Sequence, residues 1–327
     1  MCEKILPMMI PRACLLALAL TIWLNSPSQA ADALEFPKAE KKPAVDSWFG
    51  VDLQDNYPWL QNAADPAVKA FAAAQNQRTR KYLDSLPKPA AAPVTSTDLA
   101  KYPVERTFVK ASDGSQIPLL IHRPLQLDGT GSAILEIGNT PSSAAGHLLA
   151  LGVTICVADL SNRPRSDADL AVIAQFLIKK KVTQPDRLAI LGNPTNGALV
   201  SLVIAQFPSL FRAAVLRADL FDLLHDSFTN LPTRSQFNDR LARSPYHRIV
   251  DGMPYPAILL LTSPNEPSPG FAQSLKLVAC LQEATTSPHP VLFRISSDKV
   301  DSEDEDIVRF LLKELGVLTQ PTATPLK

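Results

Sequence analysis

Few side chains in this chain could do covalent or acid–base chemistry. There are five histidines, His122, His147, His225, His247 and His289, and four cysteines, Cys2, Cys14, Cys156 and Cys280. The string Gly192-Asn193-Pro194-Thr195-Asn196-Gly197 separates an apolar run from a helical one and offers one hydroxyl, that of Thr195. A threonine attacks a carbonyl only with a base beside it. No histidine is near in sequence, so Thr195 is a weak candidate nucleophile. No His or Cys spacing matches a zinc site, and no phosphate-cradling glycine pattern precedes a helix. No metal or cofactor is therefore expected. The acidic run Asp301, Glu303, Asp304, Glu305 and Asp306 could hold calcium, but negative side chains at a helix start favour its N-terminus without any ion.

The elements that would position these groups alternate regularly. Apolar strands are expected at 133–137, 153–159, 187–191, 213–217, 257–262 and 291–295, and helices near 141–151, 167–180, 197–207, 272–283 and 302–315. Continuous apolar strands separated by helices indicate a mostly parallel sheet covered on both faces. Two strand-like runs, 104–109 and 116–122, flank Asp113-Gly114, a hairpin signal. Asp65-Pro66 begins a helix reaching about Leu86, with Asp65 as N-cap and Pro66 at the first helical position. Residues 31–55 are polar and read as a linker, and 87–100 as a Pro/Ala-rich connector. His289 precedes the last strand and would emerge at the wrong end of the sheet. Cys156 and Cys280 sit in apolar runs and read as two buried thiols, with a disulfide as the minor alternative.

Several segments resemble the prolyl oligopeptidase family. They are Tyr57-Pro58-Trp59-Leu60, Ala74-Gln75-Asn76, Tyr82-Leu83, the 104–124 hairpin, Pro185-Asp186-Arg187-Leu188-Ala189-Ile190 and Pro208-Ser209-Leu210-Phe211. Ser244-Pro245-Tyr246-His247, Tyr255-Pro256-Ala257, Ser274-Leu275-Lys276 and Leu281-Gln282 continue in the family's order. The resemblance implies an α/β-hydrolase domain preceded by an N-terminal helical segment. It normally also implies a β-propeller between that segment and the opening hairpin. Here residues 87–102 are all that intervene, too few for one blade of roughly 40 residues.

The resemblance also locates the positions of a catalytic triad. The fold presents its serine in a Gly-x-Ser-x-Gly turn, and the aligned position holds Pro194, which has no hydroxyl and a fixed φ. The amide of Thr195 could still belong to a residual oxyanion hole. The acid position falls on Glu266, a residue type the fold accepts. The base, a histidine after the last strand, is replaced by a stretch without histidine in which Asp301 lies nearest. A carboxylate of ordinary pKa is a poor base for a hydroxyl. The glycine-rich oxyanion segment reads Gly138-Asn139-Thr140-Pro141, and the chain has only 12 glycines against 29 prolines. Glycines that let backbone approach a ligand are thus missing where the family has them.

The chain has 32 basic and 32 acidic side chains and no net charge, which gives no electrostatic reason to bind nucleic acid or anionic membrane. Lys4 and Arg12, an apolar run from Ala13 to Leu24 and the small residues of Ser28-Gln29-Ala30 form a signal-peptide pattern with cleavage after Ala30. That run is shorter than the roughly 20 residues a membrane span needs, and cleavage would leave a secreted or periplasmic protein. The expected organisation is a signal peptide at 1–30, an N-terminal helical segment and linker at 31–102, the hydrolase-type domain at 103–316 and a tail at 317–327. The expected function is a catalytically inactive homologue that binds a peptide or protein. The alternative is an active serine-type hydrolase using a non-standard site.

Overall fold

The computed structural model describes residues 36–89, 96–126, 131–163, 166–193, 195–225, 233–263, 269–296 and 300–317. Its centre is an eight-stranded sheet built from β3 (Val104–Lys110), β4 (Gln116–His122), β5 (Ala133–Ile137), β6 (Thr154–Ala158), β7 (Leu188–Leu191), β8 (Ala213–Arg217), β9 (Ala257–Thr262) and β10 (Val291–Ile295). The order is β10-β9-β8-β7-β5-β6-β4-β3. The six strands from β10 to β6 are parallel, and β4 and β3 join antiparallel. This is the α/β-hydrolase architecture expected from the sequence.

Burial explains the continuous apolar strands. Successive residues of one strand enter opposite cores: Ile134, Ala189, Val215 and Leu259 face one, and Leu135, Ile190, Ala214 and Leu260 the other. The first core is completed by α2 (Ser143–Ala150) and α7 (Val300–Glu314), the second by α3 (Asp167–Lys179), α4 (Gly197–Gln206) and α6 (Gly270–Ala284). Among the described residues no helix is long and apolar enough to cross a membrane.

Helix α1 (Pro66–Ser85) starts as the sequence indicates, with the Asp65 carboxylate accepting from the Ala67 amide. It closes one edge of the sheet. Thr79 Oγ1 accepts from the Phe293 amide at 3.1 Å and Asn76 Oδ1 from the Ile295 amide at 2.9 Å. Two donors of β10 that would face outwards are thereby satisfied, which blunts an exposed edge. Helix α1 and β3 are joined by residues 86–103, in which Ser96–Lys101 forms a 3₁₀ turn.

Two elements correct the sequence reading. Residues 44–55, read as linker, form a separate hairpin of β1 (Ala44–Trp48) and β2 (Val51–Asp55). Phe49 and Gly50 link them with φ of 52° and 79°, the double left-handed conformation of a two-residue hairpin turn. The strands are polar at half of their positions and the hairpin buries only Asp55, so no buried apolar face marks them in the sequence. Helix α5 (Arg234–Arg243) was also not expected. Phe237 is its only buried residue, so it carries no apolar stripe.

Candidate active site

Strand β5 lies between β6 and β7, so the chain leaves it towards one side and later returns on the other. Ligand crevices of parallel sheets form outside the carboxyl ends of strands at such a switch. A cavity of about 310 Å³ opens there, lined by the ends of β5 and β7, the 138–142 loop, Arg217 of β8, and Asp304 and Ile307 of α7. A smaller one of about 170 Å³ adjoins it across Gly138, Asn139 and Asn193, and reaches Asp159, Ser161 and Asn196.

The Gly192–Gly197 turn forms the wall between them, and close packing fixes its outer glycines. A Cβ on Gly197 would lie 2.2 Å from the Arg217 carbonyl oxygen, and one on Gly192 3.2 Å from that of Val215. Between them the turn is held by its asparagines. The Asn193 amide donates to Asn196 Oδ1 at 2.7 Å, and Asn193 Nδ2 donates to the Ile137 carbonyl at 3.1 Å. Asn193 Oδ1 accepts from both the amide and the hydroxyl of Thr195, each at 2.9 Å. This corrects the expectation for the Thr195 amide: its N–H closes an Asx turn instead of pointing at an oxyanion. Asp219 Oδ2 caps the following helix by accepting from the Ala198 amide at 2.9 Å.

The triad positions inferred by resemblance fare differently. Pro194 and Glu266 lie outside the described residues. Asp301 is in the first turn of α7, with its side chain outside them. Thr262 and Ser296, at the ends of β9 and β10, carry buried hydroxyl oxygens without a hydrogen-bond partner. Sequence reasoning missed both, since hydroxyls at strand ends carry no pattern.

The cavity's charged groups are largely spoken for. Glu136 is 3 % exposed; its carboxylate accepts from the Ser142 amide at 2.8 Å and the Ser142 hydroxyl at 2.7 Å. Burial raises its pKa, with the Ser142 donors opposing. Arg217 pairs with Glu303, and burial lowers its pKa. Two more members of the acidic run pair as well: Asp306 with Arg80 at 2.8 Å and Arg294 at 3.1 Å, and Glu305 with Arg309 at 3.0 Å.

The histidines sit in other settings. His122, on β4, is buried with neither ring nitrogen partnered, and burial lowers its pKa. His147 lies within α2, and His289 contacts Arg212 at 2.5 Å. His225 and His247 belong to an ion cluster beneath the β1–β2 hairpin. Its centre is Lys276, fully buried in α6, whose ammonium donates to Asp55 at 2.7 Å and Asp222 at 2.5 Å. One sequence signal could have revealed this cluster, a lysine inside the apolar stretch of α6. Cys156 and Cys280 are free thiols, each pushed up to about 12 by burial.

Residues 165–300 match the model of the prolyl oligopeptidase family. The prolyl endopeptidase of Elizabethkingia miricola is 24% identical over 264 residues, covering 66% of this chain and 37% of that protein. A dual-function macrocyclase-peptidase of Amanita bisporigera is 27% identical over 263 residues, covering 65% and 36%. Among solved structures, a prolyl endopeptidase superposes with a TM-score of 0.61 at 24% identity, over 69% of this chain and 40% of that one. Prolyl oligopeptidase B of Galerina marginata superposes with a TM-score of 0.60, also at 24% identity, over 66% and 37%. The matches thus span little more than a third of the curated relatives' length. The fold is that of an α/β-hydrolase domain, and residues 165–300 within it are similar to the prolyl oligopeptidase family.

Proposed function

We propose that this chain lacks serine-peptidase chemistry and acts as a binding or regulatory protein, taking a peptide or protein ligand at the cavity beside the Gly192–Gly197 turn. The observation that carries the reading is the turn itself: proline stands at the nucleophile position and the remaining hydroxyl, on Thr195, donates to Asn193. The segment after β10 supports it, since residues 296–302 contain no histidine. In such triads, loss of the serine or the histidine alone costs about a millionfold in turnover. Export to the periplasm or the outside, with cleavage after Ala30, belongs to the same proposal.

Fluorophosphonate labelling of the purified protein, followed by peptide mapping, tests the central claim. No label on folded protein, with an active family member labelled alongside, is the expected result. Stoichiometric label on one hydroxyl, lost in Thr195→Ala, would establish a working nucleophile and overturn the proposal. The N-terminal sequence of the exported protein tests the localisation: a chain beginning at Ala31 supports it, and an uncleaved cytosolic chain contradicts it.

A further inference from the structure

The ion cluster beneath the β1–β2 hairpin has a valence requirement that the proposed function does not use. His225 Nδ1 lies 2.9 Å from Asp222 Oδ2, and His225 Nε2 lies 2.9 Å from Asp46 Oδ2. Ionised carboxylates only accept hydrogen bonds, and a neutral imidazole has a single N–H. Both contacts can be hydrogen bonds only when the ring is an imidazolium.

The two carboxylates are not equivalent. Asp222 is fully buried and also takes a bond from Lys276, whereas the Asp46 side chain is 36% exposed. When the ring loses its proton, Asp222 keeps a cationic partner and Asp46 can turn to water. Asp46 is on β1 and Asp222 is on the segment after β8, so this bond joins the hairpin to the main domain. The other hairpin strand is anchored separately. Asp55 of β2 accepts from Lys276, from the Tyr246 hydroxyl at 2.7 Å and from the Tyr57 amide at 2.9 Å. At the far end of the hairpin, Trp48 and Phe49 lie over Phe237, with ring centroids 6.4 Å and 6.0 Å away.

We infer that the Asp46–His225–Asp222 bridge is a pH-operated latch. With the imidazolium in place the hairpin is closed over Phe237. Loss of the proton frees β1, and the hairpin swings from its Asp55 anchor to uncover Leu224 and Phe237, now 1 % and 0 % exposed.

The charged groups around the ring set the direction. The Asp222 hydrogen bond lifts the His225 pKa above its ordinary 6.5; burial and Lys276 oppose this, and Asp46 adds to it. His247 stacks 6.4 Å away with its Nδ1 on the Ser244 hydroxyl, and burial lowers its pKa. It therefore tends to stay neutral beside the imidazolium. A raised histidine pKa stabilises the closed state fully below the ordinary value, and that stabilisation is lost as pH rises through the lifted one.

Amide hydrogen exchange of the purified protein at about pH 6 and about pH 9 brackets the transition. After correction for intrinsic base catalysis, peptides covering residues 44–55 should exchange about tenfold faster at the higher pH, the loss expected for one charge-assisted hydrogen bond. The main-sheet strands should not change. His225→Phe should exchange fast at both pH values. Should that variant fail to fold, Asp46→Ala, which leaves the Lys276 network intact, should show the same loss of protection at low pH with an unchanged circular dichroism spectrum. Unchanged protection of residues 44–55 across the range, or a pH step that survives in Asp46→Ala, would overturn the latch.

Discussion

Lys276→Met should be among the most destabilising single changes in this protein, and its effect should depend on pH in a defined direction. The ammonium is wholly buried, bonds two carboxylates at 2.7 and 2.5 Å, and sits 4.4 Å above the Tyr246 ring. It joins α6, β2 and the segment after β8. Methionine keeps most of the volume and removes the charge, leaving Asp55 and Asp222 buried without their cation. Removing one partner of a buried ion pair costs about 3–5 kcal/mol. Burial acts to raise the Asp222 pKa. The His225 hydrogen bond, the Lys276 charge and the two imidazoles outweigh it and hold the carboxyl well below the usual range. A depressed carboxylate pKa contributes stability above the unfolded value, near 3.9, that is lost as pH falls through the folded one. The gap between wild type and Lys276→Met should therefore be full near pH 7 and shrink in acid. Urea denaturation of both proteins at several pH values measures it. A second variant, Lys276→Met with Asp222→Asn, should recover part of the loss, because one stranded charge is gone. A neutral-pH difference below about 1 kcal/mol, or one that widens in acid, would refute the reasoning.

Three further outcomes follow from the packing and the site. Gly197→Ala places a methyl 2.2 Å from the Arg217 carbonyl oxygen and should cost about 1–3 kcal/mol or more by forced backbone movement, measured as a fall in the urea midpoint. Thr79→Val removes the acceptor of the Phe293 amide and should cost about 1–3 kcal/mol for a stranded edge donor; an unchanged midpoint would show that α1 does not secure β10. Cys156 and Cys280 remain protonated at pH 8 with thiols pushed up to about 12, so these two should react slowly with a thiol reagent in the folded protein and at once in denaturant, as peptide mapping of the label would show.

Much of the domain was legible because its strands are buried on both faces. The apolar runs that became β5, β7, β8, β9 and β10 needed no pattern finer than length and flanking glycine or proline. Helix α1 was legible from Asp65-Pro66, a cap that depends on local chemistry alone. The β1–β2 hairpin and α5 were not, because each buries so little that no hydrophobic period survives. The ion cluster, signalled in the sequence only by Lys276 within an apolar stretch, was hidden for another reason. Asp46, Asp55, Asp222, His225 and Lys276 are distributed along more than 200 residues and meet only when the hairpin folds back on α6. The candidate site was partly legible: the turn could be read directly, with proline at position 194, where the resemblance puts a nucleophile. The use of Asn193 to hold both donors of Thr195 required coordinates.

The two glycines that frame the turn separate the demands of folding from those of chemistry. Gly197 is held by a contact that any side chain would violate, and a Cβ on Gly192 would crowd the Val215 carbonyl oxygen at 3.2 Å, both oxygens belonging to β8. Those contacts belong to the sheet and to the start of α4, and they persist whatever stands at position 194. The 138–141 loop has no such constraint: its alternatives to glycine, asparagine, threonine and proline, line an open cavity. Glycine is thus retained where the fold needs close approach and absent where a substrate's oxyanion would need it. An enzyme with a merely displaced nucleophile would still need backbone donors free to meet developing negative charge. Here the Thr195 amide closes a turn and the Gly138 amide donates to the Ala158 carbonyl at 2.9 Å. On the proposed function, the chain is a scaffold maintained for its shape and its cavity and not for acyl transfer.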